Sequence, residues 1–158
     1  MAAEALEGFA PETISVSADG ITTVSVGLAE LVEAVDRVRG PLGYSRFVDL
    51  TAVDRLTRQE RFELVYLFHS MERQSWLRLK TRTDGQAPSI TPSVPGANWY
   101  ECELFDLFGI DFAGHPRLER IMLPAEWHGH PLRRTEPLGS EPVDFTVTRR
   151  VYGGDIRG

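Results

Sequence analysis

Residues 46–83 read RFVDLTAVDRLTRQERFELVYLFHSMERQSWLRLKTRT. Three strands stand out in this run: RFVDLTAVD, RFELVYLFHS and SWLRLKTRT, each rich in β-branched, aromatic or alternating residues. In the second, Phe62, Leu64, Tyr66 and Phe68 fall on one face at the two-residue period of a strand. In the third, Leu77 and Leu79 share one face, while Arg78, Lys80 and Arg82 take the other. A strand with one charged face belongs to a sheet wetted on one side, which is the habit of antiparallel sheets. The connectors RLTRQE (55–60) and MERQ (71–74) are short, as a meander requires.

Outward toward the N-terminus, TISVSADGITTVSV (13–26) alternates on both sides of Asp19-Gly20, a dipeptide suited to the positive φ angles of a tight turn. It reads either as a hairpin or as an entry strand followed by the first strand of the main sheet. GLAELVEAVDRVRG (27–40) predicts a helix, with Leu28, Leu31, Val32, Val35 and Val38 as its apolar stripe. Its acids lie toward the start and its arginines at the end, in favour of the helix dipole, and Gly40-Pro41 stops it.

Outward toward the C-terminus, GQAPSITPSVPGA (85–97) is a proline-punctuated loop. It leads into a second helix, NWYECELFDLFG (98–109). Asn98 is placed as its N-cap, and Glu101 three residues on completes a box of the Asn-x-x-Glu kind. Tyr100, Leu104, Leu107 and Phe108 form the expected buried stripe, and Gly109 the C-terminal cap. The fold class is therefore α+β: an antiparallel sheet with two helices packed on one face, in the order strand, helix, three strands, helix. Residues 1–109 are read as that domain. Residues 110–158, with five prolines and little periodicity beyond the strand-like EPVDFTVTRRVY, are read as an extended, mostly irregular tail. The tail is too rich in bulky apolar residues for a disordered segment, so packing against the domain, a partner or both is expected.

Composition excludes several classes. The net charge is −6, and no stretch has the dense positive field that nucleic acid requires. No apolar run reaches a membrane span, and the N-terminus lacks the basic and apolar regions of a signal peptide, which argues for a cytosol-facing location. Cys102, the one cysteine, reads as a small apolar filler. No phosphate-binding loop or nucleophile elbow occurs.

Four histidines, His69, His115, His128 and His130, raise the question of metal. His128-x-His130 in an extended segment sends two rings to opposite sides, a poor start for a zinc site. The doubled Gly-His-Pro at 114–116 and 129–131 is better read as two turns, with imidazoles tying loop backbone. Glu103 and Asp106 share a helix face and read first as partners for tail arginines such as Arg117, Arg120, Arg133 or Arg134. A small metalloenzyme using His115, His128, His130 and Glu103, and a free-standing adaptor, remain as competing readings.

The segment NWYECELFDLFGIDFAGHPRLERIMLPAEWHGHPLRR (98–134) carries the strongest signal. It resembles the signature region of the 30 kDa subunit family, the C subunits, of proton-translocating NADH:quinone oxidoreductase (respiratory complex I). The resemblance rests on Glu101 and Glu103, Asp106 to Ile110, Gly114 to Pro116, Leu118 to Ile121, and Trp127 to Arg133, with FVDLTAVD and FELVYLFHS upstream. It implies a non-catalytic subunit of the hydrophilic arm that binds no cofactor itself, with FMN, iron–sulfur clusters and quinone held elsewhere in the assembly. As partners it implies the family's D subunit, which helps form the quinone pocket, and adjacent cluster-bearing subunits. It also implies a peripheral place on the cytoplasmic side of the inner membrane. It assigns Glu101, Glu103, Asp106, His115, Arg120, Trp127, His130 and Arg133 to tail anchoring or partner contact, with no catalytic or metal residues. Two departures stand out: Cys102 replaces the arginine of the family's Glu-Arg-Glu, and RTEP (134–137) replaces Lys-Asp-Tyr-Pro. They keep open a related hydrogenase-type complex with another electron donor.

Overall fold

The structure, a computed structural model, describes residues 13–56 and 59–136. Its main sheet has five strands: β1 Thr13–Val16, β2 Thr22–Ser25, β3 Arg46–Asp54, β4 Phe62–Ser70 and β5 Ser75–Thr83. Their spatial order is β1-β2-β5-β4-β3. The meander β3–β4–β5 is antiparallel throughout, as its alternation predicts. Residues 13–26 resolve as a hairpin. Gly20 takes φ 77°, and Asp19 Oδ1 accepts the Ile21 N–H at 3.0 Å. One pair departs from the antiparallel expectation: β2 runs parallel to β5, Thr22 opposite Leu77. The chain leaves β2 into a helix and crosses over before the meander begins, so β2 meets the last meander strand in the same direction.

Burial follows the strand period. Phe62, Leu64, Tyr66 and Phe68 of β4 and Leu77 and Leu79 of β5 are buried on the inner face, joined there by Thr81 and Thr83. The outer face carries the charges. Glu63 accepts from Lys80 and from Arg55, each at 2.9 Å, and Arg78 donates to Asp19 at 2.8 Å.

Helix α1, Leu31–Arg39, follows a short 3-10 turn at Leu28–Glu30. Its buried side is Leu31, Ala34, Val35 and Val38. Val32, expected in the stripe, faces out instead. The 3-10 turn advances the helix start to Leu31 and rotates the apolar arc, so Ala34 takes the inward place.

Helix α2, Asn98–Phe108, corrects one local reading. A 3-10 turn at Pro95–Ala97 runs directly into it, Asn98 is already helical at φ −48°, and no side chain caps the N-terminus. Glu101 does not complete a capping box; it is fully buried and serves the preceding loop. Leu104, Leu107 and Phe108 are buried as expected. Tyr100 is half-buried at β3, with Oη donating to Val48 O at 3.0 Å and its ring edge-on to Phe47. Gly109 ends the helix in the left-handed region at φ 69°, its N–H returning to Phe105 O.

Two elements had no signal in the sequence reading. β6, Gln86–Pro88, lies within the proline loop, and β7, Asp111–Ala113, lies at the start of the tail; they pair in parallel. Phe112 of β7 is buried in the core common to both helices and the inner sheet face. The strand-like EPVDFTVTRRVY lies outside the described residues.

Candidate functional site

Past β7 the chain forms a strap over α2, held by buried polar groups rather than by regular structure. Both glycines of the doubled Gly-His-Pro take positive φ, 85° at Gly114 and 91° at Gly129, which side chains rarely tolerate. These are the two bends that lay the strap down.

The first tie is internal to the fold. Glu101 accepts from Ser89 Oγ at 2.5 Å, Ile90 N at 2.8 Å and Thr91 Oγ1 at 2.9 Å. The His115 side chain, fully buried, accepts the Arg117 N–H on Nδ1 at 3.1 Å. The other ring nitrogen, Nε2, faces Glu101 Oε2 at 3.8 Å. Cys102, buried as a filler should be, also gives its thiol to Arg117 O at 3.6 Å.

The second tie is Asp106, on the opposite turn of α2 and fully buried. Its Oδ2 accepts three successive backbone N–H groups, from Ile121, Met122 and Leu123, at 3.1, 2.8 and 2.9 Å. Arg120 donates to Oδ1 at 2.9 Å. Burial pushes this carboxyl's pKa up, but the Leu123, Met122 and Ile121 amides and the Arg120 guanidinium outweigh it and hold it below the usual value.

The third tie closes the end of α2. The last carbonyls of a helix have no partner within it. Here the strap supplies donors. His130 Nδ1 donates to Asp106 O at 2.9 Å, Leu132 N to Leu107 O at 3.1 Å, and Arg133 to Phe108 O at 2.5 Å and Gly109 O at 3.3 Å. The positive charge of Arg133 at a helix C-terminus also suits the helix dipole.

A fourth tie escaped the sequence reading. Asp54, at the inward end of β3, is gripped by Arg61 through both carboxylate oxygens and accepts Arg134 N at 3.0 Å. The Arg61 hydrogen bond, against the opposing effect of burial, holds the Asp54 carboxyl far below its usual range. A signal was present: Asp54 continues the buried alternation of Leu50 and Ala52, where a carboxylate demands a partner.

Of the residues singled out from sequence, the structure brings Asp106, His115, Arg120, His130 and Arg133 to the strap contacts. Glu101 lies one layer deeper. Glu103 is half-buried and meets none of the arginines proposed for it; Arg117 pairs instead with Glu119 at 2.9 Å. Trp127 is half-buried, its N–H bonded to Pro124 O. His128 is exposed. No cluster of three or more His, Cys, Asp or Glu side chains is placed to hold a metal among the described residues. No helix there is long and apolar enough to cross a membrane.

Gly109 tests the clasp directly. A Cβ there would stand 2.4 Å from Arg133 Nη2 and 2.5 Å from His130 Nε2, at φ +69°. Gly109→Ala is expected to destabilise the chain by about 2 kcal/mol, from left-handed strain and displaced donors. Urea unfolding gives the loss, and faster trypsin cleavage after Arg133 reports the loosened strap.

Comparison with known proteins agrees with this architecture. The family model for the respiratory-chain NADH dehydrogenase 30 Kd subunit matches residues 24–142. A C subunit of NADH-quinone oxidoreductase from a Roseiflexus species is 42% identical, over 94% of this chain and 90% of its own length. The mitochondrial NADH-ubiquinone oxidoreductase 30.4 kDa subunit of Neurospora crassa is 50% identical over 70% of this chain, which spans 45% of that protein. A Methylococcus capsulatus NADH-quinone oxidoreductase protein, named jointly as C/D, is 42% identical over 77% of this chain, which spans 23% of it. Among solved structures, the trypsin-resistant fragment of Nqo5 superimposes with TM-score 0.63 at 29% identity, covering 73% of this chain and 95% of that one. An archaeal membrane-bound sulfane sulfur reductase shares the fold, at TM-score 0.64 and 21% identity over 80% of this chain and 73% of that one. With the meander, both helices and the strap all inside the matched region, the chain belongs to the 30 kDa subunit family of respiratory-chain NADH dehydrogenases.

Proposed function

We propose that this chain is a non-catalytic structural subunit of the hydrophilic arm of NADH:quinone oxidoreductase, supporting electron transfer from NADH to quinone through clusters held by other subunits. The observation that carries the reading is what the titratable groups do. Glu101, Asp106, His115, His130 and Arg133 each hold backbone, and those backbone hydrogen bonds close a loop or a helix end. Groups so committed are poorly placed to exchange protons with a substrate. FMN, clusters and quinone then belong to neighbouring chains, and membrane association comes through the complex, on the cytoplasmic side.

In this reading residues 1–109 are the α+β domain and 110–158 the partner-binding tail, whose first part is clasped onto the domain. The D subunit is the partner; relatives named jointly as C/D carry both designations on one chain. The test is co-expression with the other hydrophilic-arm subunits and comparison of wild type with His130→Ala/Arg133→Ala. The double substitution should lower recovery of the D-type partner severalfold, while turnover per assembled complex stays at the wild-type value. Normal assembly with lost turnover would assign chemistry to these residues and sink the proposal.

A further inference from the structure

β5 outruns its neighbour. β2 ends at Ser25, opposite Lys80, and the next residue, Val26, donates its N–H to Lys80 O at 2.9 Å. The chain then turns into the 3-10 helix at Leu28–Glu30, while β5 continues to Thr83. Along a strand the main-chain groups alternate between the two edges. Arg82, two residues on from Lys80, therefore aims its N–H and C=O into the lane that β2 has left. Among the described residues no strand takes up that lane. A cavity of about 270 Å³ lies there, with Thr13, Ser25 and Val26 on one side and Lys80, Thr81 and Arg82 on the other. Thr81 is buried, and its hydroxyl has no hydrogen-bond partner.

Thr13 indicates what reaches the lane. It pairs antiparallel with Ser25, so the chain before it runs on past the end of β2, in the direction in which β5 continues. Residues 1–12 lie outside the described residues. Three residues in extended form cover about 10 Å, the length of β5 from Lys80 to Thr83, and one strand spacing, about 4.8 Å, carries them from the line of β1 into the lane. The charges also match. MAAEALEGFAPE (1–12) carries Glu4, Glu7 and Glu12 and no lysine or arginine. At the cavity, Lys80 and Arg55 both pair with Glu63 at 2.9 Å, and Glu60, the other acid there, is itself engaged. Arg82 is exposed and makes no ion pair among the described residues, which leaves one cation for an acidic segment.

We infer that residues 10–12 lie in this lane as a short strand antiparallel to β5, so that the chain's own N-terminal arm closes an edge otherwise open to a strand from another molecule. In that register Ala10 and Glu12 turn their main chains toward β5. Pro11, which has no N–H to give, faces outward, the place on a sheet edge where proline is tolerated.

The test uses the isolated full-length chain. A photo-crosslinking residue at position 10 should join, within the same molecule, to the peptide spanning 78–84. Arg82→Glu should lower that yield at least fivefold, and Arg82→Lys, which keeps the charge, should retain it. Amide exchange at Arg82 should be at least tenfold slower in the wild type than in Ala10→Pro/Glu12→Pro, which strips the arm of its N–H donors. Links to another part of the chain, links between two copies, or no links at all overturn the inference. Equal exchange at Arg82 in the two proteins does the same, as does a wild-type yield in Arg82→Glu, since the acidic arm would then have no use for the cation.

Discussion

Replacing Asp106 with alanine should cost the chain about 3–5 kcal/mol of unfolding free energy, a large part of the stability of a domain this size. The substitution strands three backbone N–H groups of the strap and the Arg120 guanidinium, all now satisfied by one buried carboxylate. Removing an acceptor while leaving its donors buried costs far more than the net worth of the bonds. Asp106→Asn keeps the shape and one acceptor oxygen, and about 2 kcal/mol should be lost. The two variants also separate on acidification. The Asp106 pKa is lowered in the folded state, so its contribution is fully present above the unfolded value of about 4 and fades as pH falls through the folded value. The wild type should therefore lose stability on acidification more steeply than Asp106→Asn. Urea unfolding at neutral and acid pH measures this, and equal slopes would remove the carboxylate from the account.

The second large effect is at Glu101. Glu101→Ala should destabilise by about 3 kcal/mol, by stranding the Ile90 amide and two hydroxyls in a site closed to water. Glu101→Gln should cost about half as much, because its carbonyl oxygen still accepts from Ile90. A double-mutant cycle with Thr91→Ala isolates the pair, and a coupling of about 1 kcal/mol is expected for residues in direct contact. Coupling near zero would mean that the carboxylate does not hold the 89–91 loop.

These two acids show how far the sequence could be read. The three long strands were legible because one face is buried, and burial writes itself into every second residue: Phe62, Leu64, Tyr66, Phe68. β6 and β7 were not, because three-residue strands are too short to display a period, and Pro88 argued against one. Glu101 matched a local capping rule, but the 3-10 turn before α2 and the burial of its side chain gave it to the loop instead. Asp106 was read as a partner for tail arginines, and Arg120 fills that role. Its three amide bonds depend on how the strap folds back, which no local spacing encodes. The tail as a whole was expected to need cover. Its first part finds that cover on its own domain, through Phe112, Leu118 and Leu123, and leaves Met122 and Leu132 outside.

The strand order has a consequence for synthesis. β5 alone joins the β1–β2 hairpin to the β3–β4 pair, since β2 and β4 bond to each other only through it. A nascent chain that has emerged only as far as β4 holds two hairpins with nothing between them, each with an open, adhesive edge. Until Ser75–Thr83 clears the ribosome and slots into the gap, the five strands cannot join into one sheet, and those edges stay open.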